Sequence, residues 1–221
     1  DLEKTGHKFK TRTDTETIVH LYEEEGEDFL KKLNGMFALA LWDEKNRKII
    51  LARDRLGQKP LYYSLVNQTL IFGSELKSLL EHPLIKKEID FDSLNKYLTY
   101  EYVPAPETII KRIKKIEPGQ VLIFQNNQIK LSKYWDIKFS RLKNQENYLI
   151  EFEKLLEDSV KKRLIADVPL GVFLSGGLDS STIAYFAQKN SSTKIKTFSI
   201  GFTDKSFDES IYAEEVAKFL K

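Results

Sequence analysis

The chain has 221 residues, 41% apolar and 12% aromatic, which is enough to build one large or two modest folded domains. Its 35 basic and 33 acidic residues leave a net charge of +2, which argues against a nucleic-acid-binding surface and gives no polybasic patch for a membrane. Because cysteine is absent, disulfides, thiolate metal sites and a cysteine nucleophile are excluded within this sequence. No apolar run is long enough to cross a bilayer, so we expect a cytoplasmic protein with no membrane partner.

The first part of the chain alternates short helices with β-hairpins, which predicts an α+β fold. Asp14 is expected to cap a helix that ends at Gly26, and a second short helix should follow. The run 36–42 is nearly all apolar and predicts a strand buried on both faces, which returns through residues 49–52. Two more hairpins are predicted at 61–72 and 121–131, and short helices near 75–80 and 91–100.

The composition becomes polar and aperiodic over residues 136–146, which we interpret as a domain boundary. Apolar residues recur at helical spacing over 148–164, followed by a strand at 169–174, a helix, and a second strand at 195–200. A last helix should begin at Ser206, where the sequence has capping-box form. The strand–helix–strand–helix order predicts a parallel sheet. The predicted domains are 1–138 and 146–221.

The segment between the first of these strands and its helix carries the most information. Its glycines allow the backbone to approach a ligand, and the following helix offers free N–H groups at its positive end, so the segment predicts an anion site. Hydroxyl groups would add donors, and an aspartate fits beside a phosphate if a divalent cation lies between them. Neither a Walker loop nor a dinucleotide fingerprint is present, and a plain Gly-Gly turn is the alternative. The residues are Ser175, Gly176, Gly177, Leu178, Asp179, Ser180 and Ser181.

This loop resembles the PP-loop of ATP pyrophosphatases, which grips the β,γ-pyrophosphate. The whole chain resembles the glutamine-dependent asparagine synthetases. The resemblance implies the C-terminal part of an α+β N-terminal-nucleophile sandwich (a type 2 glutamine amidotransferase domain) over 1–138. It also implies the N-terminal part of an α/β PP-loop ATP pyrophosphatase domain, of the adenine nucleotide alpha hydrolase-like class, over 146–221. The matching segments, in family order, are 13–16, 33–38, 52–63, 73–75, 118–119, 167–172, 175–181 and 198–202.

The resemblance also assigns site residues. Asp14 resembles the aspartate that binds the α-ammonium of glutamine; its alternative role is the helix N-cap. Asp179 resembles a residue associated with Mg²⁺–pyrophosphate, or it is simply a favourable charge at a helix N-terminus. Leu174 and Ile200 would hold adenine largely through their backbone, and otherwise are ordinary core. The implied ATP-binding set is Leu174, Ser175, Gly176, Gly177, Asp179, Ser180, Ser181 and Ile200.

The chain departs from the family in one respect that bears on catalysis. The family's glutaminase uses an N-terminal cysteine, which is absent here, so we predict no catalytic residue in this chain. We interpret the chain as an internal fragment that binds ATP weakly and does not hydrolyse glutamine. The implied parent reaction makes asparagine from aspartate, glutamine and ATP through β-aspartyl-AMP, with ATP and Mg²⁺ as cofactors. A homodimer is left open.

Three alternatives stay open at this point. The first is a paralogue that amidates another carboxylate in polysaccharide or secondary-metabolite synthesis. The second is an RNA-modifying PP-loop enzyme, which the near-neutral charge disfavours. The third is a non-catalytic nucleotide-binding module.

Two groups of charged or polar residues are predicted to be structural. Arg53, Asp54 and Arg55 are expected to form a turn with their charges paired locally, although an anion clamp is the alternative. The three histidines (His7, His20 and His82) show no ligand spacing and are expected to be surface or partly buried residues.

Overall fold

The structure is a computed structural model that describes residues 1–139 and 147–220. The chain divides into two units, residues 1–139 and residues 140–221. Most of the predicted linker, residues 140–146, lies outside the described residues. Among the described residues, no helix combines the length and apolar character that a membrane span requires.

The first unit contains two antiparallel sheets. One has the strand order β1-β2-β6-β7 and the other β4-β3-β5. The strands are β1 (Ala38–Asp43), β2 (Lys48–Arg53), β3 (Tyr62–Val66), β4 (Thr69–Gly73), β5 (Lys114–Lys115), β6 (Gln120–Gln125) and β7 (Gln128–Lys133). The helices are α1 (Asp14–Glu25), α2 (Leu76–Leu80) and α3 (Phe91–Tyr100), with 3-10 helices at Leu2–Thr5 and Gly26–Lys32.

Three apolar clusters order these elements into layers. Ile50 and Ala52 on β2 pack against Phe29 and Leu30 of the second 3-10 helix, which joins the helical layer to the first sheet. The intervening Leu51 points to the other face, as the two-residue period of a strand requires, and packs with residues of the second sheet. A third cluster joins that sheet to α2. The first unit is therefore a helix–sheet–sheet–helix stack.

The three predicted hairpins are confirmed. The turns at Asn67–Gln68 and Asn126–Asn127 have positive φ at both central residues, which is the geometry of a two-residue type I′ turn. The predicted burial of the first strand was wrong. β1 begins at Ala38, is an edge strand, and leaves Trp42 49% exposed. The strand buried on both faces is its partner β2, because β2 lies inside the sheet and β1 does not.

The predicted cap of α1 was also wrong in detail. Thr13 is the N-cap residue, with extended backbone, and makes no side-chain capping bond, while Asp14 is the first helical residue. The helix ends at Gly26 as predicted, where φ is +57°. The carboxylate of Asp14 is therefore not used in helix capping and remains available for other partners.

The second unit alternates helices with short strands: α4 (Tyr148–Arg163), β8 (Gly171–Phe173), α5 (Leu178–Lys189), β9 (Lys196–Phe198) and α6 (Ser210–Leu220). β8 and β9 pair in parallel, as the element order predicted. The predicted capping box was wrong, because Ser206 bonds Asp204 through both its N–H and its hydroxyl. α6 begins four residues later, where the Asp208 carboxylate accepts the N–H of Ser210 at 3.1 Å.

Candidate nucleotide and glutamine sites

The loop between β8 and α5 starts from a buried anchor. Leu174 is 2% exposed and its N–H donates to the carbonyl oxygen of Phe198 at 2.8 Å. Its own carbonyl accepts the hydroxyl of Ser199 at 2.5 Å. The amide of Leu174 is thus already used between the two strands. The carbonyl oxygen of Leu174 still has one lone pair that could accept a hydrogen bond from a ligand. The sequence had predicted that more of the Leu174 backbone would be open to adenine.

Gly176 sets the direction of the loop. It has φ +84°, and a Cβ at this position would lie 2.4 Å from Cβ of Tyr212 and 2.8 Å from the amide nitrogen of Ala213. Only glycine accepts both the left-handed backbone and this approach. The first turn of α6 therefore supports the loop from one side. This contact could not be predicted from the sequence, because it joins residues 36 positions apart in segments with no shared pattern.

The serine hydroxyls hold the loop together. Ser180 Oγ donates to the carbonyl of Gly177 at 3.2 Å and lies 3.0 Å from Ser175 Oγ. It also accepts the N–H of Ser175 at 3.3 Å. The N–H of Gly177 in turn donates to Ser175 Oγ at 3.3 Å. These hydroxyls were predicted as phosphate donors, but in this conformation their hydrogen bonds lie within the loop.

The free donors of the loop are backbone amides. Ser181 is the first residue of the loop whose N–H has a helical acceptor, the carbonyl of Gly177 at 3.0 Å. Within the described residues, four N–H groups before it have no acceptor: those of Gly176, Leu178, Asp179 and Ser180. Three of them are the open N–H groups of the first turn of α5, where the helix dipole is positive. This arrangement can bind an anion such as phosphate.

An apolar cavity of about 360 Å³ opens beside this loop. It lies where β8 and β9 end, which is where open parallel sheets commonly bind ligands. The predicted residues Leu174, Ser175, Ser180 and Ile200 line it, whereas Gly176, Gly177, Asp179 and Ser181 do not. The phenylalanines near the strand ends were a usable signal for this cavity, but sequence reasoning missed them. The lining residues that were not predicted are Phe173, Phe198, Ser199, Phe202 and Glu209.

Two predicted residues lie on α5 outside the cavity. Asp179 is in its first turn and, within the described part of the chain, forms no ion pair, so its carboxylate can accept a cation. Ser181 Oγ is buried and has no hydrogen-bond partner among the described residues. This hydroxyl therefore keeps an unused donor, although solvent does not reach it in this conformation.

A second open cavity, of about 510 Å³, lies in the first unit. Four of the segments that carry the family resemblance meet there, although they are far apart in sequence. Asp14 and Lys59 both line it, so an acidic and a basic residue border one space. Among the residues 1–139 and 147–220, the side chain of Asp14 makes only a long contact of 3.4 Å with the Thr15 hydroxyl. The cavity is lined by Asp14, Thr15, Ile18, Met36, Phe37, Ala38, Leu39, Ala40, Lys59, Pro60 and Ser74.

The turn after β2 is structural, as predicted, but its charges do not pair with each other. The guanidinium of Arg53 donates to the carbonyl oxygens of Gly57, Lys59 and Ile116 at 2.6, 2.7 and 2.8 Å. Asp54 is 1% exposed and accepts backbone N–H groups. Each guanidinium nitrogen of Arg53 donates to a backbone carbonyl, which supports a structural role over an anion clamp.

Comparison with known proteins places the chain in a family. Residues 1–135 match the family model of the glutamine amidotransferase domain, and residues 151–221 match that of asparagine synthase. The chain belongs to the glutamine amidotransferase domain family, and the second match extends over the parallel strands and the loop described above. These matches confirm the resemblance found in the sequence.

The relatives bear more specific names. The chain is 37% identical to asparagine synthetase [glutamine-hydrolyzing] 3 of Bacillus subtilis, over 96% of this chain and 36% of the relative. It is 38% identical to asparagine synthetase [glutamine-hydrolyzing] 1 of the same organism, over 100% and 35%. Amidase chry2 of Gibberella zeae is 35% identical over 96% and 34%. The chain thus spans little more than a third of the length of each of these relatives.

Proposed function

We propose that residues 146–221 are the N-terminal part of a PP-loop domain that binds ATP. The observation that carries the proposal is the set of four N–H groups beside an apolar cavity that have no acceptor among the residues the structure describes. The amides of Gly176, Leu178, Asp179 and Ser180 would hold the β,γ-phosphates, and the cavity would take the adenine ring. Aromatic side chains such as Phe198 and Phe202 offer apolar walls for the ring.

A magnesium ion fits the donor set at this loop. Mg²⁺ prefers oxygen ligands and commonly binds one or two carboxylates together with substrate phosphates. Asp179 supplies a carboxylate without an ion-pair partner among the described residues, next to the amides that would hold the phosphates. When bound, the ion would neutralise charge on the departing pyrophosphate. The residues of the chain would position that pyrophosphate and exclude water from its amide-bound face.

We further propose that residues 1–138 are part of an N-terminal-nucleophile glutamine amidotransferase domain and contribute to the glutamine site. Asp14 would bind the α-ammonium group of glutamine, because its carboxylate borders the cavity and is not used to cap α1. The helix–sheet–sheet–helix stack supports this assignment, because residues of α1 and β1 pack in the same apolar cluster. The catalytic nucleophile is not one of these residues, since the chain has no cysteine.

For the intact protein, the proposed reaction is glutamine-dependent asparagine synthesis. Glutamine and water give glutamate and ammonia. The β-carboxylate of aspartate attacks the α-phosphorus of ATP, which gives β-aspartyl-AMP and releases pyrophosphate. Ammonia then displaces AMP and forms asparagine. The matched relatives named asparagine synthetase support this choice. The cytoplasmic location and a homodimer remain predictions from the sequence.

A second candidate is amidation of a different carboxylate. One matched relative is named an amidase and not an asparagine synthetase, although its identity to the chain is nearly the same. The residues that would hold the acceptor are not among those we assign, so the loop and both cavities fit either acceptor. The two candidates differ only in which carboxylate triggers pyrophosphate release.

The test is pyrophosphate release by the intact protein with glutamine, Mg²⁺ and ATP. The proposal predicts release that depends on aspartate and yields AMP and asparagine in equal amounts. Release that ignores aspartate but responds to another carboxylic acid would establish the second candidate. A matched pair of variants, Asp179→Asn and Asp204→Asn, separates the loop from a general loss of charge, and only the first should lower the rate.

A further inference from the structure

Two of the three histidines lie together with a glutamate in the first unit. His7 precedes α1, His20 lies on α1, and Glu23 lies one turn further on. The Nδ1 atoms of His7 and His20 are 3.0 Å apart, and Oε2 of Glu23 is 3.0 Å from Nδ1 of His20 and 3.5 Å from Nδ1 of His7. Both imidazole rings are largely buried, with side chains 14% and 16% exposed. His7 and His20 are partly buried, as predicted, but they lie together, which their spacing in the sequence did not indicate.

With both imidazoles neutral, the hydrogen positions in this cluster do not balance. Nε2 of His7 lies 2.7 Å from Oε1 of Glu24, and a carboxylate only accepts, so the His7 proton belongs on Nε2 and its Nδ1 carries a lone pair. If His20 is protonated on Nε2, then two lone pairs and a carboxylate oxygen face one another. If it is protonated on Nδ1, its buried Nε2 is left bare and without a hydrogen-bond partner, 3.7 Å from the carboxylate of Glu16.

A metal ion removes this conflict. With ligand bonds of about 2.0–2.1 Å, neighbouring ligands of a tetrahedral Zn²⁺ lie roughly 3.3 Å apart. The three measured separations, 3.0, 3.0 and 3.5 Å, surround that value. We propose that His7, His20 and Glu23 bind a divalent transition-metal ion, with Zn²⁺ as the ion to test, and that water completes the coordination.

The carboxylates around the imidazoles complete the site. Metal-binding histidines usually donate their other ring N–H to a carboxylate or carbonyl, which fixes the tautomer and the ring orientation. Glu24 receives that bond from His7, and Glu16 is the carboxylate that faces Nε2 of His20. Phe9 packs edge-on against the His20 ring at 4.8 Å between centroids and covers it on another side.

The site would join the segment before α1 to the helix itself. Glu16 already accepts the N–H groups of Lys10 and Thr11, each at 2.7 Å. A metal held by His7 and His20 adds a second connection between the same two segments. Because the inference rests on this cluster alone, it does not depend on the proposed ATP or glutamine sites.

The test uses the untagged intact protein, stripped of metal with a chelator and titrated with ZnCl₂ by calorimetry. We expect a site that is lost in His7→Ala and in His20→Ala, with affinity reduced more than about 100-fold. Glu24→Gln, which changes the group bonded to Nε2 of His7, should weaken binding about 10- to 100-fold. His82→Ala is the matched control and should bind Zn²⁺ like the wild type, since the His82 ring lies outside the cluster and its Nδ1 accepts the N–H of Leu84.

A second measurement guards against variants that fail to fold. Zn²⁺ should raise the unfolding temperature of the wild type and of His82→Ala, but not that of Glu23→Gln, which keeps the shape of the side chain. Co²⁺ bound to the wild type should show the intense visible absorption of tetrahedral coordination. Zn²⁺ affinity that is the same in the wild type, His7→Ala and His20→Ala would overturn the proposal. So would a metal-free wild type that takes up no Zn²⁺.

Discussion

Two turns of this molecule share a strand before them and a glycine within them, but they differ in whether their backbone N–H groups have hydrogen-bond acceptors. The turn after β2 and the loop after β8 each follow a strand and contain a glycine with positive φ, +65° at Gly57 and +84° at Gly176. In the first, the buried carboxylate of Asp54 accepts the N–H groups of Gln58 and Lys59, both at 2.9 Å. In the second, four N–H groups have no acceptor within the described residues. Amide occupancy, and not glycine content, separates this structural turn from the proposed anion site.

The largest expected effect on stability comes from removing the carboxylate that accepts the backbone N–H groups of the turn after β2. Asp54→Ala removes the acceptor of backbone N–H groups of Phe37, Leu56, Gln58 and Lys59 and leaves them unpaired. We expect the free energy of unfolding to fall by about 3–5 kcal/mol, because buried partners of a lost charge stay uncompensated. Urea denaturation measures it. Asp28→Ala, at an exposed ion pair, is the control and should cost less than about 1 kcal/mol. An equally small cost for Asp54→Ala would remove the distinction between the turns.

The next effect tests whether the open loop needs its shape. Gly176→Ala would place a methyl group 2.4 Å from Tyr212 at a left-handed φ, so we expect a loss of about 1–3 kcal/mol in stability. ATP affinity should fall as well, because the amides would move. Gly177→Ala is the control, since its nearest neighbour is a flexible hydroxyl at 3.4 Å. Equal effects of the two substitutions on calorimetric ATP binding would contradict the assigned geometry.

A smaller effect on ATP affinity should distinguish the contribution of the backbone amides from that of the Asp179 carboxylate beside them. Asp179→Asn leaves the backbone N–H groups in place and removes the carboxylate proposed to hold Mg²⁺. We expect ATP affinity to fall about tenfold, or ~1.4 kcal/mol, when Mg²⁺ is present. With a chelator in place of Mg²⁺, the variant and the wild type should bind ATP alike. A loss that is independent of Mg²⁺ would mean that Asp179 supports the loop and not the ion.

The smallest expected effect on stability concerns Glu16, whose carboxylate accepts the backbone N–H groups of Lys10 and Thr11. The N–H of Lys10 and the hydroxyl of Thr11 lower the pKa of Glu16 to about 2, from an ordinary value of 4.5. Because the folded-state pKa is the lower one, this carboxylate stabilises the fold above pH 4.5, and the contribution is lost as the pH falls through about 2.

Glu16→Gln should therefore unfold at a lower temperature than the wild type near neutral pH, and the difference should vanish towards pH 2. Melting curves across this range measure the convergence. The exposed Glu44→Gln is the control and should give no such trend. A difference in melting temperature that persists unchanged at low pH would show that the carboxylate charge is not what Glu16 contributes.

Local signals allowed much of the fold to be predicted. Asparagines at Asn67, Asn126 and Asn127 located two hairpin turns, because the asparagine side chain tolerates positive φ. The depth of a strand was not predictable, since an apolar run such as 36–42 does not say whether the strand lies inside the sheet or at its edge. The start of α6 was missed because Ser206 donates its hydroxyl to Asp204, while Asp208 accepts the N–H of Ser210 four residues later.

The candidate site was predictable in outline but not in its donors. The position of the loop between strand and helix follows from the pattern around Gly176 and Gly177. The sequence could not show that the hydroxyls of Ser175 and Ser180 bond each other, nor that Tyr212 supports the loop, because both depend on the folded backbone. Spacing also did not reveal the histidine cluster, since His7 and His20 meet through a turn and not along one helix.

The central claim is that the unpaired amides after β8 hold the phosphates of ATP. The most direct measurement is an amide NMR spectrum of the intact protein labelled with ¹⁵N-glycine, recorded before and after addition of Mg-ATP. We predict a large shift of the Gly176 N–H and none of the Gly57 N–H, which already donates to the carbonyl of Asp54 at 3.0 Å. A Gly176 signal that stays in place while ATP is bound would contradict the account.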